Sequence, residues 1–175
     1  MLVPIGVRQT IMLTNWGLTN HTKQCNSHKS LMKVRRIRDV KMPQRANSND
    51  AGIDFFVPND FKGKWLGKNE GILIPSGIRV DVPEGHALIA FNKSGVAVKR
   101  QLLGGACVVD EGYQGELHIH IINASQGPQE IVAGEKIMQF ILVPMFYDSV
   151  EEVPDEELFL EQSTRGDGGF GSTGV

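Results

Sequence analysis

Several residues of this chain have the types and spacing to handle a phosphorylated, hydroxyl-bearing molecule. In Ala106-Cys107-Val108-Val109-Asp110-Glu111-Gly112-Tyr113, an apolar run enters a turn that holds two carboxylates and a glycine. The segment Leu117 to Ile122 then leaves with a two-residue period, so the whole reads as a β-hairpin. Asp110 at the strand end can polarise a water or hold a sugar hydroxyl, and Tyr113 three residues on can floor a pocket. The same residues also suit an ordinary hairpin whose Asp caps its own turn. Lys93-Ser94-Gly95 supplies an ammonium, a hydroxyl and free backbone N–H groups, a set that fits phosphate; alone, three such residues also fit a surface turn. Asp54 lies in the apolar run Ile53-Asp54-Phe55-Phe56. Burying a carboxylate there is costly unless something satisfies it, so Asp54 is either a hydrogen-bonded structural residue or an anchor for metal-bound waters. Gln139 interrupts a second apolar run, as a satisfied core amide or a ligand contact. The C-terminal stretch Thr164 to Val175 has five glycines, which argues against stable structure in isolation. It also carries Arg165, Phe170, Ser172 and Thr173, suited to grip phosphate with guanidinium and hydroxyls and to cover a base with a ring.

The elements that must position these groups read as strands. Lys33 to Arg38 opens a strand. Gly71 to His86 reads as strand, turn, strand, turn, with Ile78, Val80 and Val82 on one face. Ala87 to Phe91 is a further strand, and the residues after it, Asn92 to Ala97, are expected to form a turn. Gly134 to Pro144 gives a turn and a last buried strand. Phe61 to Glu70, carrying Trp65, is expected to be a loop, and Asp148 to Gln162 an acidic, solvated linker with a possible helical turn. Ala51 and Gly52 are small enough for close backbone approach.

At 175 residues one domain is expected. Twenty glycines, placed between short apolar runs, favour an all-β chain. A net charge of −2 makes the chain no general magnet for nucleic acid. Cys25 and Cys107 have neither metal nor disulfide-framework spacing, which points to a reducing cytoplasm (host cytoplasm, were the chain viral). No run reaches the ~18 apolar residues of a membrane span. Residues 1–31 are rich in Thr, Asn, Ser and His without a sustained period and are expected to be a poorly ordered extension.

Five blocks in order make the chain resemble the trimeric dUTP diphosphatase (dUTPase) family. They are Ala51-Gly52-Ile53-Asp54; Lys93-Ser94-Gly95-Val96-Ala97; Val108 to Glu116; Gly134-Glu135-Lys136-Ile137-Met138-Gln139; and Arg165 to Gly174. The third and fifth are highly specific. The resemblance implies a distorted jelly-roll β domain over 32–163, a glycine-rich arm over 164–175 that closes a neighbouring subunit's site, and a homotrimer with three shared sites. It implies Mg²⁺-dependent hydrolysis of dUTP to dUMP and pyrophosphate. Asp110 matches the residue that activates the attacking water and holds the 3′-hydroxyl. Tyr113 matches the ring beneath deoxyribose. Lys93, Ser94, Gly95 and Gln139 match phosphate-binding residues, as do Arg165, Ser172 and Thr173 of the tail, with Phe170 over the base and Gly171 also among the substrate-binding residues. Asp54 would reach the metal through water.

The chain departs from the family pattern at Lys93, where Arg is usual and bidentate geometry is lost, at Gly104, where many members place a uracil-contacting Asn, and at Cys107, a frequent Gly. A rival family on the same fold, dCTP deaminase, would place its catalytic Glu at His120. A nucleotide-sensing or partner-binding protein on the same scaffold is the other alternative. His118 and His120 share a strand face and raise a metal site as a further possibility.

Overall fold

The computed structural model describes residues 31–106 and 108–168. The residues 1–30, Cys107, and 169–175 with Phe170, Gly171, Ser172 and Thr173 lie outside that description. The described chain is all-β, with two short helices. In order it forms β1 (Lys33–Arg36), β2 (Ile53–Phe56), β3 (Lys64–Leu66), β4 (Gly71–Pro75), β5 (Ile78–Asp81), β6 (His86–Asn92), α1 (Ser94–Arg100), β7 (Leu102–Gly104), β8 (Val108–Val109), β9 (His118–Asn123), β10 (Gln129–Ile131), β11 (Lys136–Pro144) and α2 (Asp155–Leu158).

These strands pair antiparallel in small sheets, the jelly-roll arrangement. One sheet runs β2-β11-β6-β8 and another β4-β9-β7, flanked by the pairs β1-β5 and β10-β3. The alternation that sequence shows is the alternation that burial follows: Ile78 and Val80 point in while Arg79 and Asp81 point out, and along β9 Ile119, Ile121 and Asn123 are buried. Phe55, Leu88, Leu117, Ile119 and Phe140 share the core, where Phe55 and Phe140 rings meet at 4.4 Å between centroids. Each such side chain contributes about 1.5–3 kcal/mol by leaving water. β11 is the longest strand and pairs on both edges, with β2 and β6. Its pairing with β2 shifts by one residue between Lys136 and Met138, a bulge with Ile137 as the extra residue.

Three local expectations are corrected. Val108 and Val109 do not pair with Leu117 to Ile122 as a hairpin; they pair with Ile89 and Leu88 of β6, while β9 pairs with β4 and β7. Periodicity marks strands without marking partners, and here the chain changes sheets after Gly105, whose N–H still bonds the His120 carbonyl. Residues 64–66 form a strand against β10, with Leu66 fully buried; three residues are too few to show a period. The expected turn after Lys93 is the helix α1. Gly95 and two valines give it weak intrinsic propensity. It is anchored from outside, because Arg100 bonds the Glu135 carboxylate, the Glu130 carbonyl and the Gln129 amide.

Candidate active site

The first group of side chains gathers on one face of the β2-β11-β6-β8 sheet. Asp54 and Gln139 lie directly opposite each other on β2 and β11, so their side chains leave the sheet on the same side. Gly52 makes this close approach possible: a Cβ there would overlap the Gln139 Oε1. Gln139 Nε2 donates to the Asn92 carbonyl at 2.8 Å, which fixes the chain at the point where β6 ends and Lys93 begins. Asp54 is only 3% exposed. One of its oxygens takes the Lys93 ammonium, and the other takes Lys136 at 3.0 Å. Burial alone would raise its pKa, yet the hydrogen bonds and charges of Lys93 and Lys136 outweigh burial and hold the carboxyl below its ordinary range. Ser94 and Gly95 open α1, whose first intrahelical bond runs from the Ala97 N–H to the Lys93 carbonyl. Their own N–H groups therefore have no helical acceptor.

The second group belongs to the turn after β8. Asp110 and Tyr113 line a cleft of about 290 Å³ with Val108, Leu117, Glu116 and Phe140. Tyr113 N–H bonds the Asp110 carbonyl at 3.3 Å, and Tyr113 O–H donates to the Glu116 carbonyl at 3.1 Å. The ring thus folds back over Gly115, where a Cβ would overlap its hydroxyl oxygen. Two carboxylates brace the turn. Glu111 accepts from the Gly85 N–H at 2.5 Å. Glu116 accepts from Arg38 Nε at 2.8 Å and the Gly77 N–H at 2.7 Å; the Arg38 bond chiefly, against partial burial, with the Gly77 bond helping, pulls its pKa down. Asp110 itself is exposed and joins no ion pair among the described residues.

One chain does not bring the two groups together. Val109 pairs with Leu88 near the start of β6, whereas Lys93 follows its far end. At about 3.3 Å of rise per residue, the six steps from the level of Asp110 to Lys93 amount to about 20 Å along β6.

The chain matches the family model described as dUTPase over residues 38–174. Deoxyuridine 5′-triphosphate nucleotidohydrolases of Clostridium tetani and Mycolicibacterium gilvum are 36% and 34% identical to it, across 82% and 83% of this chain and 96% and 95% of theirs. A solved structure of the Staphylococcus bacteriophage 80alpha dUTPase with dUPNHPP superposes with a TM-score of 0.73 at 28% identity, covering 83% of this chain and 99% of that one. The chain belongs to the dUTPase family.

It is a dUTP diphosphatase, a hydrolase of nucleotide metabolism. Among the residues singled out from sequence, this dUTPase gathers Asp54, Lys93, Ser94, Gly95 and Gln139 in one place and Asp110 with Tyr113 in another. Arg165 lies in an exposed turn, its Nε donating to the Gly168 carbonyl at 2.8 Å. Sequence reasoning gave Lys136 and Asn92 no role. Lys136 sits on Asp54, and Asn92 Oδ1 accepts the Gly104 N–H at 2.6 Å. A Cβ on Gly104 would meet Met138 Cε at 3.0 Å and that Asn92 oxygen at 3.2 Å.

No cluster of three or more His, Cys, Asp or Glu that could hold a metal occurs among the described residues. His118 and His120 are not joined by a third ligand, and His120 Nδ1 accepts the Ala106 N–H at 2.9 Å. The dUTPase family generally uses a divalent metal. The donors here fit an ion carried on substrate oxygens and waters, since each Asp54 oxygen keeps a second lone pair that can accept from a coordinated water. No helix among the described residues is long and apolar enough to cross a membrane.

Proposed function

We propose that the chain hydrolyses dUTP to dUMP and pyrophosphate with Mg²⁺, at sites that each combine the Asp110 turn of one subunit with the Asp54–Lys93 cradle of another in a homotrimer. The observation that carries the shared site is the separation of about 20 Å along β6. Seated on the turn, a nucleotide would have to stretch along most of β6 to meet the cradle of the same chain, whereas a second copy can bring its cradle to the turn.

In this reading the pocket at the turn takes the nucleoside, with Tyr113 beneath the deoxyribose. Asp110 accepts the proton of the attacking water and aligns it on the α-phosphorus. An exposed carboxylate in no ion pair among the described residues is available for that role, and general base catalysis typically contributes ~10²–10⁴-fold. Lys93, Ser94, Gly95 and Gln139 hold phosphate oxygens as charge shifts onto the leaving pyrophosphate. Positioning and electrostatics therefore carry most of the rate. Mg²⁺, when bound, would neutralise phosphate charge, and Asp54 would hold its water shell. Arg165, with Phe170, Gly171, Ser172 and Thr173, closes over the nucleotide from a further subunit. The reaction lowers dUTP and supplies dUMP for thymidylate synthesis, in the cytoplasm; residues 1–31 stand outside the catalytic domain.

The decisive experiment offers dUTP, dCTP, dTTP and UTP with Mg²⁺ and scores pyrophosphate and ammonia. Pyrophosphate from dUTP, without ammonia from dCTP, is expected. Ammonia release would instead move the chain to the deaminase reaction, against a His120 whose Nδ1 already accepts a backbone hydrogen bond.

A further inference from the structure

A regular β11 would put Lys136 on the same side as Met138, facing the core. The bulge at Ile137 prevents this. Phe56, Phe55 and Asp54 are consecutive on β2 and face Lys136, Met138 and Gln139 in turn. Because residues directly opposite share a face, and because a one-residue shift reverses the side, Lys136 emerges with Asp54 and Gln139. A bulge that re-aims one side chain beside a functional cluster is a recurrent use of that irregularity.

The charge on this face is not balanced. Asp54 carries one negative charge and is bonded by two ammonium groups. A third, Lys41, lies 4.7 Å from the centroid of the Phe56 ring. Glu135, next in sequence to Lys136, is bonded instead by Arg100. Among the pair on Asp54, the Lys93 side chain is 20% exposed and the Lys136 side chain 43% exposed. An ammonium has three donors, and Asp54 takes one from Lys136. Two donors remain on a partly exposed side chain, on the face that holds Asp54 and Gln139. A surplus of cations on one face of a chain whose net charge is −2 suits a polyanion.

We propose that Lys136 is a further phosphate-binding residue of this dUTPase, turned onto the triphosphate face by the Ile137 bulge and held there by Asp54. The proposal rests on the dUTPase reading of the cradle. Lys136 contacts the β- and γ-phosphates, the part of the substrate that dUMP lacks.

The test compares the full-length chain with Lys136→Gln and Lys136→Arg. Three quantities are read: kcat and KM for dUTP by pyrophosphate release, dUMP affinity, and affinity for inorganic tripolyphosphate. A lost charge-assisted hydrogen bond predicts a rise in KM for dUTP on the order of tenfold in Lys136→Gln, with a parallel loss for tripolyphosphate. dUMP affinity stays within about twofold, and Lys136→Arg recovers most of the loss, as expected for a charge contact. A folded Lys136→Gln protein with unchanged KM and unchanged tripolyphosphate affinity overturns the proposal. So does an equal loss for dUMP and dUTP, the mark of a merely structural lysine. If Lys136→Gln does not fold, acetylation of the Lys136 amine in the wild-type chain is followed by mass spectrometry: protection by tripolyphosphate and not by dUMP upholds the contact, and equal labelling with and without tripolyphosphate overturns it. A wild-type chain that leaves dUTP intact would sink the reaction instead, while the tripolyphosphate comparison continues to read the Lys136 contact.

Discussion

The cradle at Asp54 and the turn at Asp110 each centre on one carboxylate, and the two are built in opposite ways. Asp54 is buried on β2, an outer strand of a four-stranded sheet, and its charge is answered by Lys93 and Lys136. Asp110 is exposed at the end of a two-residue strand, while two other carboxylates of the turn, Glu111 and Glu116, take the bracing hydrogen bonds. A paired carboxylate holds other groups still. An unpaired one, on a braced turn, keeps its lone pairs for a substrate. In the proposed reaction the same residue type supplies architecture at one place and reactivity at the other.

Substitutions at each centre should separate those roles. Asp110→Asn is expected to lower kcat ~10²–10⁴-fold with nucleotide binding retained; normal pyrophosphate release by that variant would remove the contrast altogether. Deleting Thr164 to Val175 is expected to cost on the order of 10²-fold in turnover by loss of closure and positioning, with the oligomer unchanged in size by light scattering. An active truncated form would show that turn and cradle suffice.

Asp54→Asn should act on stability first. It leaves two ammoniums facing an amide, at about 1–2 kcal/mol in denaturant unfolding, toward the low end because Lys136 is half in solvent. The depressed pKa of Asp54 fixes the sign with pH. Its contribution is present above the unfolded value of about 4 and is lost as pH falls through the lower folded value. Glu116, also depressed, behaves the same way. Melting temperatures taken from pH 7 to pH 3 should therefore fall at the acid end, and fall less in Asp54→Asn. The smallest stability change belongs to Gly115→Ala. The added Cβ meets the far end of Tyr113, which is 47% exposed and free to swing. Unfolding should shift by less than about 0.5 kcal/mol, yet KM for dUTP should rise as the ring leaves the pocket.

The two regions were also unequally legible in the sequence. The turn could be read because its residues are contiguous: Asp110, Gly112, Tyr113 and Gly115 form one short phrase. Its partners could not, since nothing in Val108-Val109 says that β6 rather than β9 lies alongside. The cradle is assembled from distant segments, and only their matching blocks suggested that they meet. Gly52 was readable as a site of close approach, and Gln139 proved to be what approaches it. Lys136 was invisible to any two-residue pattern, because an inserted residue reverses the parity on which such patterns rest. The strand at 64–66 and the helix at 94–100 were hidden for the same underlying reason: a partner far along the chain, Ile131 for one and Glu135 for the other, stabilises what the local sequence does not.

The span of β6 has a genetic corollary. If its two ends serve different nucleotides, a subunit disabled at Asp110 still offers a sound cradle, and one disabled at Lys93 still offers a sound turn. Co-refolding the two inactive proteins should yield mixed assemblies with activity that neither parent has, a complementation that a self-contained subunit could never display.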